Sequence, residues 1–305
     1  MSNKSVIPEC FNRGSIDSRL RHAGMTGVLY VFSAILIFLT CGLPTILAQS
    51  VVAPPHSLPE IIRKIENRRG GWIAMKAELS LHFLTSDHNT ASCRAELVYQ
   101  RLEEKILLKG FNAKNDLLFI FKTADRRFEL FLPDRKTIYR GNIFELEDSP
   151  EIESHLKPLD LYRALKPMAI PLKNASVENW DGETVLLKIN GERDGRPYLA
   201  RRLVATEEGE TQVETYYSFE EKPVLTIRRA EFKRVRSYFF PHRIKIEDLG
   251  VQEPGLERKP NETVFLFEKI DFMASVPDGE WYFPVEKGTE VSALPSATTA
   301  APHSS

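Results

Sequence analysis

The sequence predicts a mainly β fold of the α+β class, in which about 11–12 antiparallel strands form one long sheet with a short N-terminal helix and a short central helix. Three observations support this prediction. Short apolar segments recur from residue 72 to residue 273. Turn sequences such as PDRK and NGERDGRP separate them at hairpin spacing, which requires antiparallel neighbours. Finally, helical periodicity occurs in only two segments of this region.

The first 48 residues have the pattern of an export signal. Basic residues precede an apolar block at 28–39, which is followed by Pro44 and by the small residue Ala48. This order is typical of a secretory signal peptide, and cleavage after Ala48 is the favoured interpretation. The segment is also nearly long enough to remain as an N-terminal membrane anchor. Lipidation of Cys41 is the third alternative, because FLTC loosely resembles a bacterial lipobox. We expect an exported, periplasmic protein, membrane-anchored if either of the last two alternatives holds.

Composition excludes some functions and leaves others open. The chain has 305 residues, is 42% hydrophobic and 27% charged, and has a formal net charge of -1. A near-neutral chain offers no general basic face for nucleic acid, so we expect no nucleic-acid partner. Cys93 is the one cysteine after the signal region, so an internal disulfide is excluded there. We predict that Cys93 is a small buried strand residue and not a catalytic thiol.

The rest of the chain reads as a single domain between a linker and a tail. Residues 49–57 form a proline-containing linker, residues 58–291 the domain, and residues 292–305 a tail without apolar periodicity, predicted to be disordered. The domain opens with a helix that Ser57 caps and that ends near Gly70. Its apolar stripe consists of Ile61, Ile62 and Ile65.

Twelve strands are predicted after this helix. They lie at 72–84, 93–101, 105–110, 116–123, 127–133, 137–141, 183–190, 198–206, 211–219, 224–235, 238–248 and 263–273. The first contains IAMKAELSLHF, whose apolar residues alternate with polar ones, so that one face is apolar and the other is polar and exposed to solvent. The apolar residues are Ile73, Met75, Ala77, Leu79, Leu81 and Phe83. Alternation alone leaves open whether this face meets a protein core or a cavity.

Between the two groups of strands lies the central helix, within SPEIESHLKPLDLYRALKPMAIP. Its apolar stripe includes Leu161, Leu165 and Met168, and prolines stand at both ends.

Motifs that carry chemistry are absent from the sequence. There is no HExxH, GxSxG, Walker or GxGxxG motif. We therefore predict no metal site, no cofactor and no enzymatic activity. The basic stretch TIRRAEFKRVRSYFFPHR invites two functional interpretations, single-stranded nucleic acid and anionic lipid headgroups. A solvated strand face, offset by nearby acids, is favoured over both.

Several segments resemble the LolA/LolB superfamily, the periplasmic lipoprotein localisation factors and related outer-membrane lipoprotein-sorting proteins. LPEIIRKIENRRGGWIAMKAELSLHF is similar to the opening helix and first strand of that family. KILLKGFNAKNDLLFIFKTADRRFELFLPDRKTIYRG is similar to its middle hairpins, HLKPLDLYRALKPM to its lid helix, and GEWYFPVEKGTEV to its ending. The resemblance covers about residues 58–291 as an architecture.

The resemblance implies an unclosed β half-barrel whose apolar cavity, covered by a lid helix, binds acyl chains of lipoproteins or lipids. The implied lining and lid residues are Ile73, Met75, Leu79, Leu81, Phe83, Leu117, Phe119, Phe121, Leu161, Leu165 and Met168. It further implies a monomeric, non-enzymatic carrier or acceptor with an inner- or outer-membrane protein as a further partner. Two alternatives stay open: an RseB-like lipid-sensing regulatory module, and a structural envelope protein whose barrel is filled by its own side chains.

Overall fold

The computed structural model describes residues 56–85, 89–143, 158–165, 169–249, 260–282 and 287–293. The predicted export signal, Cys41, Met168 and residues 294–305 lie outside these ranges, so the expectations for them stay predictions. Two α-helices are present in the described part, α1 (Leu58–Arg69) and α2 (Pro158–Leu165). Neither combines the length and the apolar character that crossing a bilayer requires.

All the described strands belong to one 14-stranded sheet that does not close. The strands are β1 (Ala74–Leu84), β2 (Thr90–Gln100), β3 (Lys105–Phe111), β4 (Leu117–Ala124), β5 (Arg127–Leu132), β6 (Thr137–Asn142), β7 (Ala175–Trp180), β8 (Thr184–Arg193), β9 (Arg196–Thr206), β10 (Thr211–Tyr217), β11 (Pro223–Val235), β12 (Tyr238–Asp248), β13 (Asn261–Met273) and β14 (Glu290–Ala293). Their spatial order is β14-β6-β5-β4-β3-β2-β1-β13-β12-β11-β10-β9-β8-β7. The predicted mainly β class is confirmed.

The chain starts in the middle of the sheet and builds it outward in both directions. Hairpins carry β1 to β6 toward one edge; the chain then crosses to β7 at the other edge and returns to β13, which pairs antiparallel with β1. Two strands were not predicted. The edge strand β7 has mostly exposed or half-buried residues, and β14 is a four-residue strand that pairs parallel with β6. Both lack the apolar alternation on which sequence-based assignment depends.

Helix α1 begins and packs as predicted. The carboxylate of Glu60 accepts hydrogen bonds from the backbone N–H and the hydroxyl of Ser57, which caps the helix. The three isoleucines of its stripe are buried against the β7–β9 part of the sheet, together with Trp180, Val185 and Leu187. The turn between β9 and β10 touches the helix backbone at Gly209, where an added Cβ would lie 2.6 Å from the Lys64 carbonyl.

The predicted alternation of β1 is present over most of its length. Met75, Ala77, Leu79, Leu81 and Phe83 are buried on one face. The residues between them are exposed or half-buried and form the solvent-exposed face that period-two geometry predicts. This register places the apolar side of β1 on the face of the sheet that α2 covers, which we call the inner face.

The opposite face of β1–β6 is apolar as well. Val98, Leu107, Ile120 and Phe131 form a separate buried cluster there, which Val276 from the segment after β13 helps to cover. Strands buried on both faces have continuous apolar runs instead of alternation. This explains sequences such as ILL in β3 and LLFIF in β4.

Candidate functional site

Most of the predicted lining residues meet in one cluster on the inner face. Those present in it are Met75, Leu79, Leu81, Phe83, Phe119, Phe121, Leu161 and Leu165. They come from β1, β4 and α2, which are far apart along the chain. The resemblance therefore selected residues that the fold brings together.

Two predicted lining residues lie elsewhere. Ile73 precedes β1, which starts at Ala74, and is 40% exposed instead of packing in the cluster of the inner face. Leu117 packs on the opposite face. The pairing of β3 with β4 shifts register between Gly110 and Phe111, which is a β-bulge. Because a one-residue shift moves a side chain to the other face, Leu117 and Phe119 are not on the same side.

The side chain of Tyr162 ties the middle of α2 to the β2–β4 side of the sheet. Its hydroxyl donates to the backbone carbonyl of Glu104 and accepts from the hydroxyl of Thr123. Thr123 is fully buried, and its oxygen also accepts from the backbone N–H of Ile106 at 3.2 Å. Burial raises the pKa of Tyr162 to about 12, so the hydroxyl stays protonated and can donate.

A buried charge cluster holds the C-terminal end of α2. We define it as Glu214, Arg201, Arg229 and Tyr216. The Arg229 guanidinium donates to the carbonyls of Arg163 (3.1 Å) and Ala164 (3.2 Å), which are among the last carbonyls of the helix. Cations are favourable at this end because the helix dipole is negative there. Helix α2 is thus held by its buried apolar side, by Tyr162 and by Arg229.

The carboxylate of Glu214 organises this charge cluster. It is fully buried and lies 2.8 Å from Arg201 Nη1 and 3.1 Å from Arg229 Nη1. Tyr216 Oη donates to it at 3.1 Å. Burial opposes the ionisation of Glu214, but the charges of Arg229, Arg69 and Arg201 outweigh burial and lower the pKa of Glu214. The carboxylate is therefore ionised at neutral pH.

The sequence pattern does not reveal this charge cluster, because it predicts one solvated face for the whole basic stretch that contains Arg228 and Arg229. Arg228 fits that interpretation, since it is exposed and pairs with Glu247 of β12. Arg229 is 6% exposed and points inward. The sequence signal for this burial is the position of Arg229 in the alternation of its strand. It follows Leu225 and Ile227 at steps of two, so it lies on the same face as these two buried residues.

An open cleft lies beside the C-terminal end of α2, with a volume of about 40 Å³. Its lining residues are Arg68, Arg69, Trp72, Ala164, Leu165, Gly209, Glu210, Thr211, Arg229, Phe232, Phe239, Phe240 and Pro241. This volume has room for a few water molecules. Pockets that bind small molecules commonly have about 300–1,000 Å³. With α2 in this position, the cleft is too small for an acyl chain.

Cys93 is buried, as predicted. Among the described residues, no group of three or more His, Cys, Asp or Glu side chains is placed to hold a metal ion.

Comparison with known proteins matches this architecture to solved structures. No family model and no curated protein matches the chain. A LolA superfamily protein from Nitrosomonas europaea aligns over 75% of this chain and 98% of its own, with TM-score 0.50 and 14% sequence identity. This chain shares its fold with that LolA superfamily protein.

Two further solved structures share this fold. A putative outer membrane lipoprotein-sorting protein domain from Vibrio parahaemolyticus covers 73% of this chain and 94% of its own, with TM-score 0.51 and 12% identity. A DUF1329 family protein from Desulfovibrio piger covers 73% of this chain and 95% of its own, with TM-score 0.52 and 8% identity. The open half-barrel that the sequence resemblance implied is thereby confirmed as the fold.

Proposed function

We propose that this protein is an exported, non-enzymatic carrier or acceptor of the cell envelope that binds acyl chains of lipoproteins or lipids on the inner face of the sheet. It acts as a monomer, and a membrane protein hands over or receives the lipid. The observation that carries the proposal is the position of α2, an eight-residue helix seated on the large apolar inner face of a LolA-like half-barrel. The predicted N-terminal signal supports export.

Binding requires α2 to move, because the described apolar side chains of the inner face are buried while the helix is seated. Leu161, Ala164 and Leu165 are its buried side chains in the described part. Burying a leucine side chain is worth about 1.5–3 kcal/mol, whereas an acyl chain gains about 0.8 kcal/mol for each buried methylene. A chain of about ten methylenes, about 8 kcal/mol, therefore exceeds the apolar contribution of the two leucines. The exchange is non-covalent and needs no catalytic group.

The test is uptake of a fluorescent fatty acid by protein expressed from the full chain. Leu81→Glu places a charge on the inner face and should abolish uptake. His82→Glu is the matched control, because His82 is exposed on the other face of the same strand. A folded Leu81→Glu protein with normal uptake would contradict the proposal.

Tyr162→Phe provides a second variant in case Leu81→Glu does not fold. It removes the hydroxyl that holds α2 to Thr123 and to the Glu104 carbonyl, so uptake should become faster than in the wild type. Unchanged uptake kinetics would count against a moving α2.

The burial of the described apolar side chains on the inner face favours one other function, a structural envelope protein. In that case the wild-type protein takes up no fatty acid, and no lipid co-purifies with it in mass spectrometry.

A further inference from the structure

The cleft beside α2 has an unusual combination of charge and apolar surface. Arg68, Arg69 and Arg229 line it, with Glu210 as the acidic lining residue. Behind it, Arg201 and Arg229 share the Glu214 carboxylate. Among the residues that line the cleft, guanidinium groups thus outnumber carboxylates. Guanidinium groups bind carboxylates and phosphates through charge-assisted hydrogen bonds, so an anion is the class of ligand that this cleft favours.

The arginines of α1 are held by partners in or near the turn between β9 and β10. Arg68 forms an ion pair with Glu210 at 2.9 Å, and Arg69 Nε donates to Thr211 Oγ1 at 3.2 Å. Burial lowers the pKa of Arg69 to about 10, which leaves it charged at neutral pH. The guanidinium groups are thus fixed before any ligand arrives, which reduces the entropy lost on binding.

Aromatic side chains form the apolar part of the cleft. The Arg68 guanidinium lies 3.8 Å from the centre of the Phe239 ring. Trp72 and Phe240, also in the lining, are in edge contact with ring centres 6.1 Å apart, and both belong to the cluster of the inner face. The cleft is therefore continuous with the surface that α2 covers. A ligand in it can have a charged end on the arginines and an apolar end on the inner face.

Movement of α2 changes what Arg229 can bind. In the seated position, its guanidinium donates to the carbonyls of Arg163 and Ala164. If the helix leaves, these donors lose their acceptors, and a buried donor without an acceptor is costly. Phosphate or carboxylate oxygens would replace the lost carbonyls with stronger, charge-assisted hydrogen bonds.

We propose that the cleft is the headgroup subsite for an anionic amphiphile, whose phosphate or carboxylate binds Arg68, Arg69 and Arg229 while its acyl chains occupy the place of α2. This inference rests on the proposed function and adds to it the class of the lipid. The anion and the helix end compete for Arg229, so an anionic lipid opens the site more readily than a neutral one.

The experiment compares two lipids that differ in headgroup only. Protein expressed from the full chain is loaded with an uncharged, apolar fluorescent dye, which is then displaced by monomeric dihexanoylphosphatidylglycerol or dihexanoylphosphatidylcholine. We expect the anionic lipid to displace the probe at about tenfold lower concentration. Glycerol phosphate, which has the anion without acyl chains, tests whether a free phosphate is sufficient, and we expect it to displace little.

Arg68→Gln is the test variant and Arg63→Gln its matched control. Both residues are on α1, but Arg63 is exposed and does not line the cleft. Arg68→Gln should weaken displacement by the anionic lipid about three- to tenfold and leave the zwitterionic lipid within about twofold. Arg63→Gln should change neither.

The outcomes separate the two proposals. Equal displacement by both lipids would overturn the headgroup subsite and leave the carrier function standing. Failure of both lipids to displace the probe, or failure of the probe to bind, would refute the carrier function and the subsite with it. Glycerol phosphate as potent as the anionic lipid, or equal effects of Arg63→Gln and Arg68→Gln, would also overturn the subsite.

Discussion

Replacing Glu214 by glutamine should destabilise the protein severely. The carboxylate is fully buried, has guanidinium nitrogens at 2.8 and 3.1 Å, and accepts a third hydrogen bond from Tyr216. Glutamine keeps the shape but loses the charge, which leaves Arg201 and Arg229 as buried cations. Removing one partner of a buried ion pair costs about 3–5 kcal/mol. This loss is a large part of the free energy of unfolding of a typical domain, which is roughly 5–15 kcal/mol.

Glu178→Gln is the matched control for this substitution. Glu178 also binds an arginine through two hydrogen bonds, to Arg202 at 2.7 and 2.8 Å, but their side chains are 32% and 40% exposed. Exposed ion pairs contribute about 0–1 kcal/mol, so this variant should remain close to the wild type. Urea unfolding followed by tryptophan fluorescence measures both free energies. A loss of less than about 1 kcal/mol for Glu214→Gln would refute the buried charge cluster.

The pH dependence of the same measurement tests the ionisation of Glu214. Its native pKa is below the ordinary value of 4.5, because the charges of three arginines outweigh burial. The charged carboxylate therefore stabilises the protein fully above about pH 4.5 and less as the pH falls through the native pKa. The difference between wild type and Glu214→Gln should be constant from pH 7 to about pH 5 and narrow below pH 4.5. If the difference in free energy of unfolding between the two proteins disappears already near pH 6, the pKa of Glu214 is too high for the proposed pairing with the arginines.

Two further substitutions test how the helices attach to the sheet. Gly209→Ala should lower the free energy of unfolding more than Gly195→Ala does. Both glycines have a positive φ, which costs about 1–2 kcal/mol for alanine. At Gly209 the new Cβ would also collide with the Lys64 backbone, whereas at Gly195 it would meet open space. Equal losses in urea unfolding would contradict this contact. Tyr162→Phe removes the hydroxyl that binds Thr123 and the Glu104 carbonyl, so it should cost about 1 kcal/mol and accelerate fatty-acid uptake; a variant that matches the wild type in both measurements would show that this attachment is unimportant.

Local sequence patterns were sufficient for most secondary structure. Helix α1 was predictable because its cap, its isoleucine stripe and its glycine stop lie within a few residues of one another. The hairpins were predictable because turn residues separate apolar runs at short spacing. The edge strand β7 and the parallel strand β14 were missed, since their stability comes from pairing with neighbours and not from their own apolar pattern.

The candidate site was predictable only in part. The lining residues of β1 follow from alternation together with the family resemblance. Leu117 was placed on the wrong face because the bulge between β3 and β4 shifts the phase, and a bulge depends on how two strands pair. Arg229 was in phase with buried residues, but a buried arginine is expected only if a partner is known. That partner, Glu214, belongs to the neighbouring strand β10.

Local sequence patterns specify the class of fold, the positions of the helices and hairpins, and the apolar face of β1, because periodicity and turn chemistry act over a few residues. Long-range packing is needed to show that β13 returns to pair with β1, that α2 is seated on the inner face, and that the charge cluster holds the end of this helix. Periodicity tells which side of a strand is buried, whereas the groups that meet on that side come from distant parts of the chain.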